Sequence, residues 1–376
     1  MRLETLYQDY PPSSRTDLFL ALIAVILLFF GLIMIISSST VIGFRVYHDT
    51  FYFVKRHAIY LIVGLGPLFG GLMIPHFFWR KYAFHLWIGS LLLVGLTYIP
   101  HIGSTAGGAA RWISLAGFRF QPSDVLKFTM ILLLADHLDR HKGHLHNISR
   151  SIIPVFVIMA VSILIVLNQP DLGTSVVLAS SSMVLLFISG FPMLLFIGLI
   201  PVGLGVVAYS IMKTPYQLRR IAAFLDPWSD PLGKGFHTIQ SLIAVGSGGL
   251  LGLGIGQSRQ KFFFLPQQYT DYIFSIIGEE FGFIATSLFL LVYFLFIYRS
   301  FWIAVRVEQL YSKLLCSGLI FWISIQALIN IGVAINLVPS KGITLPFISF
   351  GGTSLIMVMF IAGILLNISR YRVPRT

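Results

Sequence analysis

Apolar residues in this chain come in long unbroken blocks separated by short polar connections. Blocks near residues 18–41, 57–74, 83–100, 122–138, 151–168, 171–189, 192–212, 271–298, 311–336 and 348–368 are each long enough to cross a hydrocarbon core as a helix. The pattern predicts an all-α polytopic membrane protein with about ten transmembrane helices. The first block is too long for a signal-peptide core and no small-residue cleavage site follows it, so it reads as a retained span. Two connections break the rhythm. One runs from His101 to Gln121. The other, residues 213–270 between helices 7 and 8, is far longer than joining two helices requires. It carries Tyr216, Trp228, Tyr269, an apolar run at Phe262–Leu265 and many glycines, which is not a disordered composition. A large structured outer loop of short helices and re-entrant pieces is expected within one domain, 1–376.

Composition agrees with the pattern. Of 376 residues, 56% are hydrophobic and 11% charged, too little charge to cover a soluble surface. A net charge of +12 raises the possibility of nucleic acid, but its placement argues against that partner. The connections holding Arg80–Lys81, Arg140–Arg150 and Arg299–Lys313, with Arg2, Arg15 and Arg370–Arg375 at the ends, carry most of the cations. The short alternate connections hold fewer: Arg45, Lys55, Arg56, Arg111, Arg119 and Lys341. The positive-inside rule then puts both termini in the cytoplasm and the two long loops outside. Cys316 is the only cysteine, which excludes a disulfide framework or a thiolate metal site within one chain.

Carboxylates cost most in a bilayer and so mark candidate chemistry. Asp271 lies where the long loop becomes a helix, in QQYTDYIFSIIGEEFG. Thr270 or Asp271 suits a helix cap, the better reading of the pair taken alone; an ionised carboxylate facing an outer cavity could instead act as a general base. Glu279 and Glu280 lie about two turns deeper, where capping explains nothing, and Glu279 at i+8 falls near the face of Asp271, which suggests a polar cavity leading down from the loop. Asp171, in NQPDLGT, suits a turn and cap. Asp124 and Lys127, in QPSDVLKF, suit either a structural i,i+3 pair or a ligand site, with Ser123 or Asp124 as cap. Outward cations at Arg111, Arg219, Arg220, Lys261 and Lys341 run against the topological bias, and Arg111 beside Trp112 suits a diphosphate carrying a sugar.

Two patterns invite other chemistry. The glycine run VGSGGLLGLGIG (245–256) lacks the ending of a nucleotide loop, and close backbone packing is the better reading. His137, His141, His144 and His146 have metal-like spacing, but at a helix end beside Arg140 and Lys142 they read as solvated cations.

The motifs GGAARWI, QPSDVLK, NQPDLGT, PYQLRRIAAFLDPWSDPLGKGFHTIQSLIAVGSGG, QKFFFLPQQYTDYIFSIIGEEFG and LVPSKGITLPFISFGGTSL occur in order along almost the whole chain. In them the sequence resembles the SEDS proteins (shape, elongation, division and sporulation: FtsW, RodA and SpoVE), with IIGEEFG and QSLIAVGSGG leaning towards the FtsW branch. The resemblance implies an inverting peptidoglycan glycosyltransferase that polymerises lipid II outside a bacterial cytoplasmic membrane, in septal synthesis during cell division. The family's essential aspartate falls on Asp271, which would deprotonate the acceptor sugar. Arg111, Arg220 and Lys261 would bind the diphosphate, and Trp112, Lys127 and Lys341 would add substrate contacts. Asp124, Asp171, Glu279 and Glu280 would support the polar cavity. A class B penicillin-binding protein and other divisome proteins are the implied partners, besides membrane lipid. No metal ligand set is implied, and a divalent cation (Mg or Mn) at the diphosphate is compatible. Ala110, Asp124, Gln267, Tyr269 and Phe350 depart from the family's common pattern without removing the base. The alternatives are a lipid II flippase, against which no inverted repeat is detected, and a non-catalytic scaffold for a transpeptidase.

Overall fold

The computed structural model describes residues 14–100, 102–106, 109–115, 118–262 and 264–372. Arg2 and Arg375, and the side chain of Ala110, lie outside the described residues. Helices α1 (Leu18–Tyr47), α2 (Tyr52–Met73) and α3 (His76–Leu96) lead to a three-stranded antiparallel sheet, β1 (Gly103–Ala106), β2 (Ala109–Leu115) and β3 (Phe118–Phe120), in the order β1-β2-β3. Then follow α4 (Pro122–Arg140), α5 (Ile153–Leu167), α6 (Leu172–Ser189) and α7 (Met193–Lys213). The long loop contributes two short helices, α8 (Pro215–Leu225) and α9 (Phe236–Ser247), before α10 (Ile273–Arg306), α11 (Leu310–Ala334) and α12 (Gly352–Ile368) close the chain.

Eight of the segments are both long and apolar enough to span a membrane. The remaining long helices, α3 and α4, reach 21 and 19 residues but carry more polar side chains, so the expected count of ten rests on length alone at those two. The sheet between α3 and α4 was not foreseen: its strands are only 4, 7 and 3 residues long, too short for a readable alternation.

α11 and α12 are largely buried, whereas α7 has no fully buried residue and touches the bundle through one side, where Leu195, Phe196 and Leu199 are partly buried and Phe196 lies 5.9 Å from Phe187 of α6. α12 runs along α2 with backbones in near contact. A methyl group at Gly71 would stand 2.7 Å from the Phe360 carbonyl oxygen, and one at Gly363 2.1 Å from that of Leu68. Without a water-driven hydrophobic force between spans, such close approach supplies the van der Waals attraction that holds them.

The long loop does reach back into the bundle. α10 is interrupted at Gly282 (φ 67°, ψ −174°), which frees backbone groups at membrane depth. The glycine run satisfies them. Leu253 and Gly254 N–H donate to the carbonyls of Glu279 and Glu280, both at 3.0 Å, and Phe283 N–H donates to Gly249 at 2.9 Å. Side chains would prevent this contact: a Cβ at Gly282 would lie 2.1 Å from the nitrogen of Gly252. The close-packing reading of the run is therefore the observed one, and its partner is the break in α10.

Candidate active site

The connections after α1, α3, α5 and α7, and the one between α11 and α12, meet at one end of the bundle. They enclose a cleft of about 520 Å³ lined by Arg111, Trp112, Asp124, Lys127, Arg220 and Asp271, with an aromatic wall that includes Tyr47, Tyr52, Phe53, Tyr269 and Phe350. Six residues singled out from the sequence thus share one cavity, although they lie on β2, α4, α8 and the approach to α10.

Asp271 does not cap its helix. α10 starts at Ile273 behind an N-cap Tyr272 whose side chain makes no capping bond, so the ordinary explanation for a carboxylate here fails. The backbone is pinned instead: Asn330 Nδ2 donates to the Asp271 carbonyl at 2.9 Å and to that of Ile343 at 2.7 Å. The carboxylate lies beside Gly342, where a Cβ would meet Asp271 Oδ2 in ordinary contact at 3.6 Å; the glycine serves the backbone there, at φ 67°. Among the described residues no cation lies within ion-pairing distance of it. Burial pushes its pKa up to about 6, against the pull of Arg220 and Arg111. The side chain keeps partial access to the cleft, while protein on the remaining sides removes most of its water.

The cations stand to one side of it. Arg111 is held by β2 and donates from Nε to the Gln169 carbonyl at 3.2 Å and from a terminal nitrogen to that of Pro170; Asp171 lies 3.8 Å behind it. Arg220, on α8, donates to the Ser340 carbonyl at 2.9 Å and stacks on Tyr216 at 4.4 Å. Arg111, Arg220 and Lys341 line a small adjoining pocket. The crowding there is visible in Lys341, whose pKa is lowered by burial and then by Arg220. An anion entering this corner would relieve mutual repulsion.

Deeper in the cleft, Lys127 pairs with Asp124 at 2.8 Å, bonds Gln326 Oε1 at 3.3 Å and sits over the Trp322 ring at 4.6 Å. This is the i,i+3 pair the spacing allowed. The other carboxylate oxygen of Asp124 is buried without a protein partner. Neither Ser123 nor Asp124 caps α4; Gln121 occupies the cap position without a side-chain bond. Asp171 does cap α6, accepting from Thr174 N at 3.1 Å and Thr174 Oγ1 at 2.9 Å.

Three residues assigned to the cavity lie elsewhere. Glu279 and Glu280 do not face Asp271, and Lys261 does not stand with Arg111 and Arg220. Lys261 Nζ lies 3.4 Å from Glu280 and donates to the Gly256 carbonyl. Glu280 also accepts from Ser37 at 2.5 Å and 2.7 Å, and Glu279 accepts from Ser258 Oγ and the N–H of Arg259. All three charges are at most 4% exposed. Helical spacing misled here because Asp271 precedes the helix and the loop folds back onto the break at Gly282. This buried knot anchors the loop; it does not open into the cleft.

Gln326 and Asn330, which bond Lys127 and the Asp271 backbone, add to the residues named above. Their signal was available: two amide side chains at i,i+4 inside an apolar span. His137 and His141 stack at 4.3 Å with ring nitrogens near backbone carbonyls, and among the described residues no three His, Cys, Asp or Glu side chains converge as metal ligands.

The comparisons with known proteins agree in outline. The family model for FtsW, RodA and SpoVE, described as a cell cycle protein, matches residues 17–373. A protein of Geobacter metallireducens named "Probable peptidoglycan glycosyltransferase FtsW" is 39% identical over 356 residues, 95% of either chain. "Stage V sporulation protein E" of Bacillus subtilis is 40% identical over 359 residues, 96% of this chain and 98% of its own. Among solved structures, a chain from one described as "Structural coordination of polymerization and crosslinking by a peptidoglycan synthase complex" superposes with a TM-score of 0.78 at 29% identity. It covers 94% of this chain and 98% of its own length. The Rod shape determining protein RodA of Thermus thermophilus gives a TM-score of 0.70 at 25% identity, over 96% and 98%. With most of its length matched by the family model and by these relatives, the chain belongs to the FtsW, RodA and SpoVE family, the SEDS proteins.

Proposed function

We propose that this protein is a peptidoglycan glycosyltransferase that polymerises lipid II at the outer face of a bacterial cytoplasmic membrane, in septal synthesis, with Asp271 as general base. One observation carries the reading: a carboxylate with neither a cap nor an ion pair to occupy it shares a cleft with Arg111 and Arg220. The Asp271 carboxylate takes the proton of the acceptor sugar's 4-hydroxyl. The oxygen attacks the donor's anomeric carbon from the face opposite the diphosphate, forming the new glycosidic bond with inversion. The bond from carbon to diphosphate breaks, and its electron pair leaves with the polyprenyl diphosphate. Arg111, Arg220 and Lys341 meet that growing negative charge. Lys341 takes the place the resemblance gave to Lys261. Trp112 offers a face for a sugar ring, and Lys127, paired with Asp124, a donor to its hydroxyls.

Magnesium or manganese would find hard oxygen ligands in Asp271 and the diphosphate, and would neutralise part of the leaving group's charge. None of the steps above requires it. Both termini lie in the cytoplasm on this reading, and a class B penicillin-binding protein is the partner that cross-links the product. The relation to a chain from a peptidoglycan synthase complex supports that pairing.

A lipid flippase and a non-catalytic scaffold are the competing readings. Purified chain with its partner transpeptidase, given labelled lipid II in detergent, should yield glycan polymer. Transport of lipid II across vesicles without polymer supports the flippase, and neither activity supports the scaffold.

A further inference from the structure

α11 is buried over most of its length, yet Gln326 and Asn330 place two amides one turn apart on it, both buried. A buried amide costs free energy unless its hydrogens are donated. Asn330 Nδ2 donates to two main-chain carbonyls, Asp271 at 2.9 Å and Ile343 at 2.7 Å, while Asn330 Oδ1 has no partner. Turned over, the amide would set its oxygen against two carbonyl oxygens, so these acceptors fix which way it faces. Gln326 Nε2 donates to the next residue along, to Thr344 O at 3.0 Å and Thr344 Oγ1 at 3.2 Å. Its Oε1 accepts from Lys127 at 3.3 Å and from Trp322 Nε1 at 2.8 Å.

The carbonyls that Asn330 joins belong to two irregular segments that meet beside the base. One is the approach to α10, which carries the Asp271 carboxylate. The other, residues 341–344, brings Lys341 into the arginine corner and passes Asp271 Oδ2 at Gly342. A single side chain bonded to both sets the gap between the base and a cation that receives the leaving group. We infer that Asn330 is a positioning residue for the glycosyl transfer. It acts through the main chain of Asp271 and Ile343 and, among the described residues, is not one that lines the cleft. A buried amide with a purely structural task would satisfy carbonyls of one loop; this one ties together two loops that carry opposite charges of the same reaction. Gln326 keeps its own hold on Thr344 and Lys127, so the loss of Asn330 falls on Asp271. The inference rests on the proposed function, with Asp271 as its base.

Steady-state polymerisation of labelled lipid II at pH 7.5, by the full chain purified with the proposed transpeptidase partner, tests it. Asn330→Leu keeps the shape and removes both donors. Misplacing a reacting group by ~1 Å costs on the order of 100-fold, so kcat should fall by about that factor with the KM for lipid II nearly unchanged. Asn330→Ser keeps one donor in the same space and should lose part of kcat; it serves as the measurement if the Leu variant fails to fold. Asn367→Leu is the control. It removes another buried amide, which donates to the Leu72 carbonyl at 2.8 Å, at the far end of α12 from the cleft. That variant should melt at a lower temperature and keep the wild-type kcat. An equal loss of kcat in Asn367→Leu would mean general loosening and overturns the inference. So does a change confined to KM, which would make Asn330 a substrate contact. No polymer from the wild type would overturn the glycosyltransferase reading and this inference with it, whereas equal kcat in the wild type and the folded Asn330 variants overturns the inference alone.

Discussion

A general base must be ionised to work, and in the proposed mechanism the Asp271 carboxyl, pushed up to about 6 chiefly by burial, sets where that happens. Glycan synthesis should therefore be full above about pH 7 and fall as pH drops through about 6, in a pH profile of kcat/KM taken at limiting substrate, which reports the free protein. The same shift has a consequence for stability. A carboxyl whose folded-state pKa is raised above its ordinary 3.8 loses stability when it ionises. That penalty is absent below about pH 4, grows between 4 and 6, and is complete at neutral pH. Asp271→Asn escapes it, so the variant should melt at or above the wild-type temperature at pH 7.5, with the difference vanishing near pH 4. A variant that melts well below the wild type would show that the carboxylate is structural. Asp271 itself was legible from its position at the end of a long loop. Its release from the cap position was not, because only the start of α10 at Ile273 decides it. Nor was Asn330, which pins the Asp271 carbonyl from a helix 59 positions away in sequence.

At the level of elements, hydrophobic blocks marked the eight apolar spans, and loop length marked the structured outer loop. What the chain does between those levels was hidden. Glu279 and Glu280 were placed with Asp271 by counting helical turns, and the break at Gly282 together with Lys261 and Ser37 draws them into a knot of their own. Period and spacing describe a regular helix and carry no information about where a distant loop returns. The break itself is a testable device. Gly282→Ala must place a methyl group against the Gly252 nitrogen in a left-handed backbone, at a cost of about 1–3 kcal/mol or more. Gly66→Ala, whose added methyl meets nothing within 4 Å, should be neutral. Thermal melting of the two purified variants compares them directly, and equal melting temperatures would mean that the loop does not depend on the close contact.

For the whole molecule, charge placement predicts the orientation, and the positions of surface residues make it measurable. Cys316 is buried, so the native chain offers no thiol to an impermeant maleimide. Single cysteines at Leu232, 90% exposed in the long loop, and at Arg150 can then be compared in intact cells. Leu232→Cys should label from outside, and Arg150→Cys only after the cells are opened. The reverse pattern would put the cleft in the cytoplasm and remove lipid II polymerisation at the outer face.

The base assignment is tested most directly by one substitution. Asp271→Asn keeps the side-chain shape, the Asn330 contact to the backbone and the arginine corner, and removes only the ability to take a proton. Purified with the proposed transpeptidase partner and given labelled lipid II at pH 7.5, it should bind substrate and form no glycan polymer while the wild type polymerises. Polymer at the wild-type rate from Asp271→Asn would contradict the account.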